Sequence, residues 1–165
     1  MKKIYIRGIS GSGKTFLAKK LASLLKTKTF DLDEVVFGKK SWDKRVSDTK
    51  RDNAVKRILK RPDWIIEGAY SKPWVEPIIK KADIIINIDS SKFVAKKRVF
   101  VRWLKRKFVK GVKKESFKDL IGLFQYIDRK PKMDKWFRTI ARKYKKKIIN
   151  LKNKKEVNKF IKNEL

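Results

Sequence analysis

Apolar residues gather along this chain in five short runs: KIYIRG (3–8), KTFDLD (28–33), WIIEG (64–68), DIIINID (83–89) and KKIINL (146–151). Several are continuously apolar, as strands covered on both faces are. Between them the apolar spacing lengthens to that of helices. Leu17, Leu21, Leu24 and Leu25 form one stripe, Ala54, Val55, Ile58 and Leu59 a second, and Val157, Phe160 and Ile161 a third. Strands alternating with helices predict an α/β fold with a parallel sheet and right-handed crossovers.

The stretch from 90 to 145 breaks this rhythm, since it holds no strand pattern and exceeds one crossover helix. It reads as a helical insertion. Residues 92–108 predict a very basic helix, and Gly111 then interrupts a lysine-rich turn. A second helix carries Phe117, Leu120, Ile121, Phe124 and Ile127 and is expected to end at Pro131. A third, around 133–144, carries Trp136, Phe137, Ile140 and Tyr144. With 165 residues and neither internal repeat nor low-complexity linker, residues 1–165 read as a single domain.

Composition narrows the chemistry. Apolar residues make up 41% of the chain, with 10 Phe and 5 Trp, enough for a core despite 39% charged residues. The chain has no Cys and no His, which excludes disulfides, thiolate metal sites and imidazole catalysis. Catalysis must run on carboxylates, lysines, arginines, hydroxyls and backbone amides. The opening MKKIYIRG is too short in apolar residues for a signal peptide or anchor, and no run approaches the roughly 18 apolar residues of a spanning helix. A soluble, cytoplasmic protein without membrane partners is expected. Net charge is +31, from 48 Lys and Arg against 17 Asp and Glu. Such a field attracts polyanions, nucleic acid included; equally, lysine can serve as the default solvated residue.

Residues 8–15, GISGSGKT, fit G-x-x-x-x-G-K-[ST] in full, directly after a predicted strand and before a predicted helix. Gly8, Gly11 and Gly13, with Ser10 and Ser12 between them, let the backbone turn tightly and bring N–H groups to phosphate oxygens. Lys14 should reach the β- and γ-phosphates of a nucleoside triphosphate, and Thr15 should ligand Mg²⁺. The loop reads as a Walker A cradle for ATP.

Other candidates lie at predicted strand ends. Asp31 and Asp33 close the second strand at period-two spacing, which sends their side chains to opposite faces. In a chain without His, Asp33 is the best base for a substrate hydroxyl, or a magnesium carboxylate; helix capping competes for both residues. Glu67, Gly68 and Tyr70 after the third strand offer an acceptor, a close backbone approach and a stacking face for substrate, with a turn and a core aromatic as the alternative. Asp89 ends the fourth strand as a Walker B carboxylate or a helix cap. Arg98, Arg102 and Arg106 share one helix face; Arg98 and Arg102 are the better placed to clamp a transferring phosphoryl group. Arg129 is a candidate nucleotide-binding lid arginine or a helix C-terminal cation. Trp42 and Trp74 suit either a substrate-pocket wall or the core.

Taken in order, the N-terminal Walker A loop, DLDE, Trp42, WIIEGAY, ADIIINID and the arginine helix resemble the adenylate-kinase-like P-loop kinases, in particular the subgroup called DNA topology modulation proteins. That subgroup is similar to nucleoside, shikimate and gluconate kinases. The resemblance runs from residue 1 to about 106. It implies a five-stranded parallel sheet of order 2-3-1-4-5, residues 8–15 as phosphate loop, Asp33 as substrate or magnesium carboxylate, Gly68 and Tyr70 at the substrate pocket, and Arg98 and Arg102 near the transferred phosphate. The subgroup's DGNY stands here as Glu67-Gly68-Ala69-Tyr70, and the segment after 107 follows no close lid pattern.

Beside a regulatory module that binds ATP as a structural ligand, two functions compete on this reading. One is a small ATP-dependent kinase acting on a nucleotide, nucleoside or related metabolite. The other is a nucleic-acid-binding NTPase or RNA-directed kinase that grips phosphates with its basic helical face.

Overall fold

The computed structural model describes residues 2–38, 44–109, 116–146 and 148–163. Trp42 and Gly111 lie outside the described residues. Five strands, β1 (Lys3–Gly8), β2 (Thr29–Asp31), β3 (Trp64–Gly68), β4 (Ile84–Ile88) and β5 (Ile148–Leu151), form one sheet of order 2-3-1-4-5. All neighbours pair in parallel, so every strand delivers its C-terminal end to the same edge. Ligands bind beyond that edge in open α/β sheets.

Helices α1 (Lys14–Leu25), α2 (Leu32–Phe37), α3 (Asp48–Leu59), α4 (Glu76–Lys81), α5 (Lys92–Phe108), α6 (Phe117–Lys143) and α7 (Lys154–Asn163), with a single 3-10 turn at Pro73–Val75, complete the described structure. Two layers enclose the sheet. On one side α1 and α7 bury Leu17, Ala18, Leu21 and Val157 against Ile4, Ile6, Ile65 and Ile86. On the other, α3, α4 and α6 bury Ile58, Ile78, Ile79 and Phe137 against Tyr5, Trp64, Ile66 and Ile85. Continuously apolar strands are thus explained, because both faces of β1, β3 and β4 are covered. A third cluster ties α5 and α6 to the strand-end loop: Ala95, Val99, Trp103, Leu120 and Ile127 close around Ile9. No helix among the described residues is long and apolar enough to cross a membrane.

Three local readings are corrected. First, β2 stops at Asp31, whose carboxylate accepts the Asp33 amide at 2.8 Å and caps α2. Asp33 therefore sits in the first turn of a helix, and the opposite-face prediction for the two aspartates fails. Second, α6 is one helix through Pro131, where two had been expected. A proline removes one backbone hydrogen bond; burial of Leu120 and Ile127 before it and of Phe137 and Ala141 after it holds the helix in one piece. Third, Phe117 and Ile121 leave the expected apolar stripe and are 63% and 43% exposed. At the fourth strand's end the cap of α5 is Ser91, whose Oγ accepts the Val94 amide at 3.3 Å, and Asp89 is exposed.

Candidate active site

The phosphate loop joins β1 to α1. Gly11 and Gly13 adopt φ of 77° and 103°, the left-handed region that favours glycine. At Gly11 sterics add a second demand, because a Cβ there would collide with the Ala95 carbonyl oxygen of α5. The loop closes through the Ser12 amide, which donates to the Ile9 carbonyl at 3.1 Å; the Lys14 ammonium donates to that same carbonyl at 3.1 Å. Helices α2, α3, α5 and α6 begin with an aspartate or serine side-chain cap. Gly13 gives α1 none, so its first-turn amides stay open to an anion. Ser12 Oγ is buried in the loop without a hydrogen-bond partner.

Carboxylates gather beside this loop. β2 and β3 pair Asp31 with Glu67, and Asp33 follows in α2. Glu67 is 4% exposed, hydrogen-bonds to Thr15 and lies in the field of Lys14. Burial pushes its carboxyl above the usual range, opposed by Thr15 and Lys14. Asp31 is pushed up to about 6, first by burial and then by the negative charges of Asp33 and Glu67, with the Asp33 amide holding it back. Lys14 is held below the usual lysine range by burial, against the pull of Glu67, Asp33 and Asp31. The Tyr70 hydroxyl donates to Asp33 Oδ1 at 2.8 Å, and burial beside that carboxylate raises the phenol.

Aromatic and basic groups enclose this acidic centre. Tyr70 packs on Trp74 with ring centroids 5.1 Å apart, and the Arg51 guanidinium lies 5.0 Å from the Trp74 ring. Tyr126 of α6 donates to the Ala69 carbonyl at 3.1 Å, and Tyr5 of β1 donates to the Tyr70 carbonyl at 3.4 Å; together they fix the segment after β3. Gly68 is buried, and the space beside it is filled by Leu32, whose Cβ would lie 2.7 Å from an added Cβ. The close approach legible at Gly68 is thus made by α2.

From the other side comes α5. Arg98 Nη1 donates to the Gly11 and Ser12 carbonyls at 3.3 and 3.1 Å, while Arg102 acts on Lys14. Arg98, Arg102 and Arg106 rim a cavity of about 680 Å³ floored by Val94, Val101 and Val109. Arg129 is exposed on α6, one residue beyond Asp128, which pairs with Lys96 at 2.8 Å. The structure therefore brings Lys14, Thr15, Asp33, Glu67, Tyr70, Arg98 and Arg102 together, and leaves Arg129 at the periphery. Asp31 was weighed from sequence as a strand-end candidate and as a helix cap, and it caps α2 here; Tyr126 was not singled out. Asp31 carried a signal, the D-x-D spacing; Tyr126 carried none outside a helix.

No protein-family model matches the sequence, and no curated protein sequence matches it. Solved structures do match in three dimensions. Shikimate kinase from Acinetobacter baumannii, in complex with shikimate, superposes with a TM-score of 0.62 at 16% identity, over 99% of this chain and 90% of that one. Shikimate kinase from Bacteroides thetaiotaomicron gives 0.61 at 15% identity, over 98% and 94%. An unliganded sugar kinase from a Janibacter species gives 0.58 at 14%, over 100% and 92%. These likenesses, with the sheet order and residues 8–15, give the chain the P-loop NTPase fold. Within that class its architecture is the one shared with shikimate kinase.

Proposed function

We propose that this chain is a small P-loop kinase that moves the γ-phosphate of ATP to a small hydroxyl-bearing acceptor bound over β2 and β3. The observation that carries the reading is the placement of Asp33, aligned by the Tyr70 hydroxyl at 2.8 Å and electrostatically coupled to Lys14. A carboxylate fixed beside the phosphate-binding lysine is where an acceptor hydroxyl must be oriented. One of the superposed kinases is in complex with shikimate, and a small acceptor of that kind is the one this reading calls for.

Nucleotide fits the loop, since α1 lacks a side-chain cap and Ser12 Oγ lacks a partner. Mg²⁺ fits beside it: Thr15 and Glu67 are already hydrogen-bonded, with Asp31 and Asp33 adjacent. No group of three or more Asp and Glu converges on a metal position among the described residues. That is expected for Mg²⁺, which takes one or two protein oxygens and completes its shell with phosphate and water. When bound, the ion would neutralise charge on the phosphate oxygens.

The protein's own groups do the rest. The loop amides and Lys14 hold the terminal phosphates; Arg98 and Arg102 stand ready for charge spread over the transferring group. Asp33 accepts the acceptor's proton as the acceptor oxygen forms its bond to the γ-phosphorus and the β–γ bridging bond breaks, leaving ADP. The test is transfer of γ-labelled phosphate to separate pools of nucleosides, nucleoside monophosphates, hydroxylated carboxylates, sugars and short RNA, with Lys14→Ala as blank. Label in a small-molecule pool, absent from the blank, is the predicted result. Label confined to RNA would replace this reading with a nucleic-acid kinase, and ATP binding without turnover would remove it.

A further inference from the structure

The α6 face of the sheet carries a second polar feature that phosphate-loop chemistry leaves unused. On that face Tyr5, Ile85 and Ile148 lie in register across β1, β4 and β5; two residues further on the same rows present Arg7, Asn87 and Asn150. Arg7 is 6% exposed, with its guanidinium 3.7 Å from the Phe137 ring centroid and hydrogen bonds of 3.4 Å to Asn87 Oδ1 and 3.3 Å to Ser71 Oγ. Asn87 Nδ2 donates to Asn150 Oδ1 at 2.9 Å. Desolvating a guanidinium is costly, and a well-packed apolar side chain serves a purely structural role at least as well. A polar row in an apolar face therefore needs a reason.

The row opens into a cavity of about 610 Å³, a size suited to a small molecule. Its wall carries four cationic side chains, Arg7, Lys92, Arg138 and Arg142, against one carboxylate, Asp89. The N-terminus of the 17-residue helix α5 also opens here. Independently of charge, Ser90 in this wall is 8% exposed and its hydroxyl is buried without a hydrogen-bond partner. No residue of the phosphate loop and none of Asp31, Asp33, Glu67 or Tyr70 lines the cavity.

We infer that this cavity is a second ligand site, for a small anion bearing a carboxylate or phosphate group. The arginines of β1 and α6 bind the charge, and the Ser90 hydroxyl and Asn150 amide supply neutral hydrogen bonds. The inference stands apart from the kinase reading, because it uses none of the same residues.

Calorimetric titration of the full chain tests it. A Lys14→Ala background weakens anion binding at the phosphate loop, and inorganic phosphate and succinate serve as separate probes. Saturable one-to-one binding of either is the predicted result. Because Arg142 is exposed, Arg142→Ala leaves the fold intact; it is predicted to weaken binding by about tenfold or more. Ser90→Ala weakens binding less, and Lys159→Ala, which removes equal charge from an exposed position on α7, leaves it unchanged. Preference for phosphate assigns a phosphoryl ligand and preference for succinate a carboxylate. No saturable binding of either probe would overturn the site, as would binding that Arg142→Ala and Ser90→Ala leave intact or that Lys159→Ala weakens equally.

Discussion

The two ends of the sheet's carboxyl edge carry opposite local charge. Over β2 and β3, Asp31, Asp33 and Glu67 surround Lys14, and burial lifts Asp31 to about 6 and Glu67 above its usual range. Over β4 and β5, on the α6 face, Arg7, Lys92, Arg138 and Arg142 outnumber Asp89 around two asparagines. On the readings proposed above, one end of the sheet serves a cation and an oriented hydroxyl and the other serves an anion. The chain's net charge of +31 describes neither end. Long-range charge governs encounter with polyanions, whereas chemistry follows the few groups that are desolvated together.

Substitutions separate the two ends. The largest effect is predicted for Lys14→Ala, a loss of phosphoryl transfer by about 10³-fold or more, read in steady-state rates. Asp33→Asn should lower kcat by about 10²–10⁴-fold while ATP binding, followed by calorimetry, is kept. Tyr70→Phe removes one hydrogen bond to Asp33 and should cost about tenfold in kcat/KM. Equal losses of ATP affinity in these variants would erase the distinction between acceptor and nucleotide groups.

Stability offers a finer contrast. Gly11→Ala forces a side chain toward the Ala95 carbonyl at positive φ and should destabilise the chain by about 1–3 kcal/mol, read from urea midpoints. Asp31 gives the smallest effect and depends on pH. Its carboxyl titrates near 6 in the folded chain against an ordinary value of 3.8, so its contribution to stability is fully present below the lower value and is lost as pH rises through the higher one. Asp31→Asn, which retains a capping side chain, should therefore raise the melting temperature at pH 7 to 8 by a few degrees. That gain should vanish toward pH 4.

Much of this was legible in the sequence because its signals are local. The phosphate loop is one contiguous motif between a strand and a helix, and the basic helix predicted over 92–108 is α5 with the same bounds. The D-x-D spacing misled because periodicity of two assumes the strand continues, whereas the Asp31 carboxylate captures the Asp33 amide and turns the chain into α2. Pro131 misled because tertiary burial on both sides outweighs one missing hydrogen bond. Arg7 was hidden inside an apolar run, and its meaning depends on register with Asn87 and Asn150, which no local pattern carries.

On this reading Asp33 orients an acceptor beside a nucleotide held by Lys14. Single-turnover transfer of γ-labelled phosphate, compared between the native chain and Asp33→Asn with ATP·Mg²⁺ saturating for both, tests it most directly. Rapid labelling of a small hydroxylated acceptor by the native chain is expected, with loss of transfer, ATP still bound, in Asp33→Asn. Transfer at the native rate in Asp33→Asn would contradict it.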